Sequence, residues 1–363
     1  MAVHFHTLTV QRVMPDAAGS AAITLQVPLS LREPFDFKPG QFLTLRADID
    51  GQETRRSYSI CSPHQHYLVR GEIDIGVKPV DDGVFSRWAL SQLRAGSYID
   101  CMPPDGRFTP RVAGARHRVG LAAGSGITPM LSIIATTLGD QPDSRFTLVY
   151  GNQRASTIMF NEVLQDLKDR YPARLSLIHL LSRQAQEVDL LNGRIDEAKV
   201  AQLLRTLLPA ASIDEVVICG PEGMIESAQR ALVAGGVALE RIHSERFIPA
   251  GPARPPRRKS PPVSIASADI AAHQLQVVLD GKTHQLPMAS HEKILDVALE
   301  AGLDLPYSCR GGVCCTCRAR VLEGKVEMEK NYTLEQWEID KGFVLTCQAR
   351  ALTPRLVVSY DDR

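Results

Sequence analysis

The sequence predicts a multidomain protein: an antiparallel β-barrel, then an α/β domain with a parallel sheet, then a small α+β domain of β-grasp-like type. Three observations lead there. Short alternating strands separated by turn residues run to about residue 110. Strand and helix patterns then alternate to about residue 233. Finally, four cysteines crowd into nine positions near the C-terminus, at Cys309, Cys314, Cys315 and Cys317.

The size agrees, since 363 residues are more than one hydrophobic core usually organises. Lys+Arg and Asp+Glu both number 41, so the formal net charge is zero, which argues against nucleic acid or a membrane surface as partner. No apolar run is long enough to span a bilayer and no signal-peptide pattern opens the chain, so a cytoplasmic protein is expected.

In the first domain, residues 1–112, the segments 22–27, 41–45 and 72–77 alternate apolar and polar side chains, with Pro39-Gly40 and Asp50-Gly51 as turns. Regular short strands of this kind close into antiparallel barrels. Arg56-Ser57-Tyr58-Ser59 falls on a strand. An arginine there can pair with a pyrophosphate, a tyrosine can stack on an isoalloxazine ring, and a serine can hydrogen-bond near its reactive nitrogen. Val77-Lys78, where the strand 72–77 ends, belongs to the same candidate cofactor set. Gly83-Val84-Phe85-Ser86 reads as a loop leading into a helix and able to receive the pyrophosphate. Each of these motifs is also compatible with ordinary strand and loop packing.

In the second domain, 113–247, an apolar strand at 119–123 runs into Gly124-Ser125-Gly126-Ile127-Thr128-Pro129. Glycines allow backbone to approach phosphate closely, and helix N–H groups bind anions. Thr128 is expected to cap the helix over 129–138, and Pro129 suits a first turn. The pattern is G-x-G-x-x-P, and a structural turn would explain it nearly as well. Strands at 146–150, 175–181 and 215–219, with helices at 157–171, 196–208 and 221–233, complete a parallel sheet. Ligands collect at the C-terminal edge of such sheets. Two motifs end there: Cys219-Gly220-Pro221, beside which a nicotinamide ring could lie, and Ser182-Arg183, which offers a hydroxyl and a guanidinium to a 2′-phosphate or is a solvated loop. The latter makes NADPH the expected donor, with NADH second.

Residues 248–270 form a proline-rich basic linker containing Arg257-Arg258-Lys259; a localisation signal is a weak alternative. The third domain, 271–363, opens with a hairpin around Asp280-Gly281. Its Cys309-x4-Cys314-x2-Cys317 run, with Cys347 some thirty positions on, has plant-type [2Fe–2S] spacing. Four soft thiolates satisfy two tetrahedral irons bridged by sulfide. A zinc site is the competing reading, but zinc motifs usually use two close pairs. Spacing favours Cys314 over its neighbour Cys315 as ligand. Cys61 and Cys101 have no partner at motif spacing and read as core.

The order of these motifs resembles the ferredoxin–NADP reductase family fused to a C-terminal plant-type ferredoxin domain. The family's R-x-Y-S motif is met by Arg56, Tyr58 and Ser59, and its G-x-x-S by Gly83 and Ser86. Its nicotinamide loop is met by Gly124, Gly126, Thr128 and Pro129, and its C-G-P by Cys219, Gly220 and Pro221. Glu245-Arg246-Phe247 fits the place where the reductase module ends. The resemblance implies that Ser59, Cys219 and Glu245 surround the hydride-transfer site and that Phe247 covers the flavin. It implies FAD, a [2Fe–2S] cluster and NADPH as cofactors.

Segments 55–61, 122–137, 307–314 and 331–334 carry a narrower likeness. It implies that the acceptor is a di-iron oxygenase acting on phenylacetyl-CoA. Another oxygenase, a desaturase or a hybrid-cluster protein would be served by the same layout. A non-enzymatic redox sensor would need no hydride entry, and the nicotinamide motifs argue against it.

Overall fold

The computed structural model describes residues 4–247 and 273–362, so the predicted linker 248–270 lies outside the described residues. Two compact units are present, one holding Phe5–Phe247 and the other the C-terminal domain, and each is described by itself.

The first unit begins with six strands: β1 (His6–Pro15), β2 (Ala21–Gln26), β3 (Phe42–Ile49), β4 (Gln52–Ser59), β5 (Glu72–Val77) and β6 (Tyr98–Cys101). They form one antiparallel sheet in the order β4-β3-β6-β1-β2-β5. The two edges meet through the Ile60–Ile75 bridge and a 2.8 Å bond from the Cys61 N–H to the Asp74 carbonyl, so the sheet curls toward a barrel. Leu8, Val10, Ile23, Leu25, Leu43, Leu45, Ile73 and Ile75 alternate inward and fill it. Cys101 lies in this core, as expected. Two helices complete the domain, α1 (His64–Arg70) and α2 (Val84–Gln92).

The second domain has the parallel strands β7 (His117–Ala123), β8 (Arg145–Asn152), β9 (Leu175–Leu181), β10 (Glu215–Gly220) and β11 (Ile242–Arg246), in the order β11-β10-β7-β8-β9. The helices α3 (Ile127–Asp140), α4 (Asn161–Arg170), α5 (Glu197–Thr206) and α6 (Glu222–Ala234) connect them. Buried clusters line both faces, as a sheet covered on two sides requires.

Two predicted boundaries move for physical reasons. The helix expected over 157–171 starts at Asn161 because Phe160 takes a left-handed φ of 60°. Its N–H is held at 2.9 Å by the Asp16 carboxylate of the barrel. The helix expected from Pro129 starts at Ile127, so Thr128 is not its cap: the Thr128 hydroxyl instead donates to the Ser125 carbonyl at 3.0 Å.

Barrel and sheet pack directly on each other. A Cβ at Gly76 of β5 would collide with the Thr128 methyl and come within 3.0 Å of the Phe160 ring, so only glycine lets these surfaces close. On the other side, Glu215 at the start of β10 is fully buried and binds Arg118 of β7 at 2.7 Å. It also accepts the N–H groups of Arg111 and Val112, where the chain passes from barrel to sheet, and lies 3.3 Å from His243.

The C-terminal unit contains β12 (His273–Leu279), β13 (Lys282–Met288), α7 (Ile294–Glu300), β14 (Arg318–Glu323), β15 (Val326–Met328), α8 (Gln336–Asp340), β16 (Phe343–Leu345), β17 (Ala349–Ala351) and β18 (Arg355–Ser359). Its main sheet runs β13-β12-β18-β14-β16. The parallel β12–β18 pair lies between antiparallel neighbours. Ile294, Leu295, Val297 and Ala298 of α7 join the buried cluster of this unit.

Candidate functional site

On β4, side chains alternate between the faces of the sheet. Arg56 and Tyr58 stand opposite Leu45 and Leu43, while Ser57 and Ser59 stand opposite Thr44 and Phe42. The Ser57 hydroxyl lies 3.1 Å from that of Thr44. The Arg56 guanidinium donates to the carbonyl of Arg55 at 2.7 Å. Tyr58 is partly buried, with its ring 5.8 Å from that of Phe85, and desolvation by burial pushes its phenol far up. It therefore acts as a neutral, flat, partly apolar surface.

Gly83 is the N-cap of α2, so Val84, Phe85 and Ser86 form the first helical turn, where a loop was expected. Ser86 is buried, and its hydroxyl oxygen accepts the N–H of Val80 at 3.2 Å. A Cβ at Gly83 would stand 2.8 Å from that oxygen, which explains the glycine. This turn and the Arg56–Ser59 strand belong to one wall of the barrel.

The glycine loop after β7 makes one turn of 3-10 helix over Gly124–Gly126 before α3. Gly124 has a φ of +54°, and a Cβ there would lie 3.6 Å from the ammonium of Lys78. The cation at the end of β5 thus faces the loop, bringing two separately predicted motifs together. Gly126 is pressed on the Cys219 backbone, where any Cβ would collide with the Cys219 carbonyl. Pro129 is buried in α3.

Cys219 is the penultimate residue of β10 and stands in register with Glu245 on β11. Cys219 is fully buried, and Glu245 is half-buried with its Oε2 atom shielded from water. Burial raises the Cys219 thiol, and Glu245 raises it further. Burial also pushes the Glu245 carboxyl up to about 8, so it is protonated at neutral pH. Its Oε2 atom is buried with no hydrogen-bond partner. Such an orphaned oxygen beside a strand terminus is where a bound ring amide or flavin edge would find a partner. Gly220 lies against Met224, and Pro221 is the N-cap of α6. Phe247 packs against the buried cluster that holds Cys219 and Cys61. Ser59 is buried at the end of β4.

Ser182 and Arg183 extend from the C-terminal end of β9. The Ser182 hydroxyl donates to the Asn152 carbonyl at 3.3 Å, and the Arg183 side chain is exposed. Their backbone N–H groups bond to the carbonyls of Asn152 and Gln153, on β8 and just beyond it, and not to the Gly124 loop.

In the C-terminal unit, Cys309 lies beside Cys314 and Cys317 beside Cys347, each pair close enough for one thiol to shift the ionisation of the other. Among the described residues no three His, Cys, Asp or Glu side chains converge on a single ion position. The cysteines form two pairs instead, and two thiolates for each iron is what a two-iron cluster needs. The Cys309 sulfur also accepts the N–H groups of Gly311 at 3.3 Å and Cys314 at 3.4 Å, donors suited to a charged sulfur. Gly312 is forced by φ +79° and by the Lys330 carbonyl, 2.9 Å from any Cβ. Cys315 turns away: its buried thiol lies 3.1 Å from the Thr333 hydroxyl. Gln348, beyond the predicted set, hydrogen-bonds the Cys347 sulfur at 3.5 Å. Its place beside Cys347 was the only signal for it in the sequence.

A barrel with a flavin-compatible wall, a parallel sheet with a glycine loop and a four-cysteine domain together define a class: flavin- and nicotinamide-dependent oxidoreductases that carry their own iron–sulfur domain. Residues 18–109 match the oxidoreductase FAD-binding domain, 121–230 the oxidoreductase NAD-binding domain and 277–352 the 2Fe-2S iron-sulfur cluster binding domain. Within that class the chain belongs to a family that includes a component of 1,2-phenylacetyl-CoA epoxidase. It is 44% identical to that component from Escherichia coli (strain K12), over 99% of this chain and 98% of the relative. It is also 33% identical to the ferredoxin reductase component of 3-ketosteroid-9-alpha-monooxygenase from Rhodococcus rhodochrous, over 97% and 96% of the two chains. Among solved structures, phthalate dioxygenase reductase shares the fold with a TM-score of 0.59 at 21% identity, over 98% of each chain. No helix among the described residues is long and apolar enough to cross a membrane.

Proposed function

We propose that this chain is the NADPH-dependent reductase of a di-iron oxygenase that acts on phenylacetyl-CoA in the cytoplasm. The observation that carries the acceptor is the 44% identity, over nearly the full length of both chains, to a component of phenylacetyl-CoA epoxidase. The division of labour would follow domains at 1–112 for FAD, 113–247 for the nicotinamide and 271–363 for the cluster, with 248–270 as linker.

When bound, FAD would supply acceptance of one hydride, with its two electrons, and their release one at a time, and the [2Fe–2S] cluster would supply a one-electron relay. The chain's own residues bind and orient. Arg56, Ser57, Tyr58 and Ser59, with the turn Gly83–Ser86 and the strand end Val77-Lys78, hold the flavin and its pyrophosphate. Gly124, Gly126, Thr128 and Pro129 shape the loop that receives the nicotinamide cofactor, with Lys78 supplying a positive charge beside it. Cys219, Gly220 and Pro221 form the floor under the nicotinamide. Glu245, neutral at pH 7, can donate a hydrogen bond there, and Phe247 excludes water. Cys309 and Cys314 would hold one iron, Cys317 and Cys347 the other.

Ser182 and Arg183 are assigned to the 2′-phosphate of NADPH on chemistry: a bidentate guanidinium suits phosphate, and Arg183 stands exposed just past a strand end. The experiment is anaerobic rapid mixing with each nicotinamide, following flavin bleaching and cluster reduction. Wild type should bleach its flavin before its cluster and favour NADPH. Arg183→Ala should weaken NADPH binding about tenfold while leaving NADH unchanged. Equal losses with both donors would move the phosphate site elsewhere, and cluster reduction ahead of the flavin would reverse the proposed order.

A further inference from the structure

Gln348 follows Cys347 directly and is 3% exposed. Its Nε2 atom lies 2.8 Å from the carbonyl of Arg310, 2.9 Å from that of Cys347 and 3.5 Å from the Cys347 sulfur. All three neighbours are acceptors, so the nitrogen and not the oxygen of the amide must face them. An oxygen there would meet two carbonyl oxygens head-on. The Arg310 carbonyl belongs to the loop that carries Cys309, Cys314 and Cys317, so this one amide ties that loop to the distant fourth cysteine. The stem is equally constrained, since a Cβ on Gly312 would stand 3.2 Å from the Gln348 Cγ atom.

We infer that Gln348 is a positioning residue that sets the reduction potential of the cluster: one amide N–H locks the ligand loop through the Arg310 carbonyl, and the other is shared between the Cys347 carbonyl and the Cys347 sulfur. This rests on the reading of Cys347 as an iron ligand. An N–H aimed at a ligand sulfur draws electron density from it and stabilises the added negative charge of the reduced cluster. Removing the donor therefore makes the cluster harder to reduce. The flavin-bearing unit is a separate compact body, so flavin reduction should not respond.

The test is a spectroelectrochemical titration of the holoprotein and of Gln348→Leu, which keeps the bulk and loses the donor. The ratio of reduced to oxidised cluster at a fixed potential should fall roughly fivefold, as loss of one ordinary hydrogen bond predicts. The rate of flavin bleaching by NADPH should stay at the wild-type value. An unmoved potential in a variant that keeps its cluster overturns the inference. Should the leucine variant lose its cluster, wild type carrying 15N in its glutamine side-chain amides decides. Pulsed EPR of the reduced cluster should then show a 15N coupling, and its absence overturns the inference. A wild-type protein with no cluster signal at all would instead refute the cysteine assignment on which it rests.

Discussion

Cys347→Ala should cut electron delivery to an external acceptor by at least ~100-fold while flavin reduction by NADPH keeps its wild-type rate. Cys347 sits buried in the C-terminal unit beside Cys317, with the Gln348 amide hydrogen-bonded to its sulfur. No residue of the flavin wall or the glycine loop belongs to that unit. Removing one of four thiolates leaves one iron a single protein ligand, and the hard carbonyls nearby are poor substitutes for a soft sulfur. Stopped-flow absorbance for the flavin, beside steady-state reduction of an artificial one-electron acceptor, separates the two activities. Equal loss of both would mean that Cys347 supports the folding of the whole chain.

Glu215→Ala is the second large effect, and it concerns stability. The carboxylate is fully buried and serves Arg118, His243 and the N–H groups of Arg111 and Val112. Truncating it strands the Arg118 guanidinium, itself only 2% exposed, without its counter-charge. Breaking a buried pair in this way costs about 3–5 kcal/mol. The melting temperature of the Phe5–Phe247 unit should fall by several degrees and the flavin should be lost more readily. The same carboxylate predicts acid sensitivity. Burial pushes it up, but His243, the Arg111 N–H, Arg118 and the Val112 N–H outweigh burial and bring it down to about 2 from an ordinary 4.5. A carboxyl depressed in the folded state stabilises fully above its unfolded value and loses that contribution as pH falls. The loss should amount to about 3 kcal/mol between pH 4.5 and 2. In Glu215→Ala this part of the pH dependence should vanish; an unchanged acid limb would assign it to other carboxylates.

Much of the fold was legible because the patterns are local. Alternation in 72–77 and the apolar run at 175–181 fall on β5 and β9 with the bounds expected. Other elements left little signal. β1 carries fully buried residues only at Leu8 and Val10, with exposed and half-exposed positions mixed elsewhere, so its period is blurred. The short α1 has no side-chain cap at its start, and β15 to β17 have three residues each, too few to show a period. The start of α4 depends on a bond from Phe160 to Asp16, 144 positions away, which no window can see.

The site divides in the same way. Four cysteines were recognisable by spacing, yet their pairing required Cys317 and Cys347 to meet across thirty positions. Lys78 was nominated as part of a flavin strand, and only the packing of β5 against the sheet brings its ammonium to the Gly124 loop. Glu245 became informative once β10 and β11 were paired, because its buried, orphaned oxygen follows from neighbours and not from sequence. Arg118 and Glu215 lie 97 positions apart and carry no motif, so the ion pair that joins barrel exit to sheet was invisible beforehand.

Transfer of electrons from NADPH to an oxygenase working on phenylacetyl-CoA is the proposed function. It is tested most directly by combining the holoprotein with such an oxygenase and following NADPH oxidation with and without phenylacetyl-CoA. NADPH consumption that depends on phenylacetyl-CoA and matches formation of oxygenated CoA product is the predicted result. Brisk reduction of an artificial acceptor beside an idle oxygenase would contradict the assigned partner.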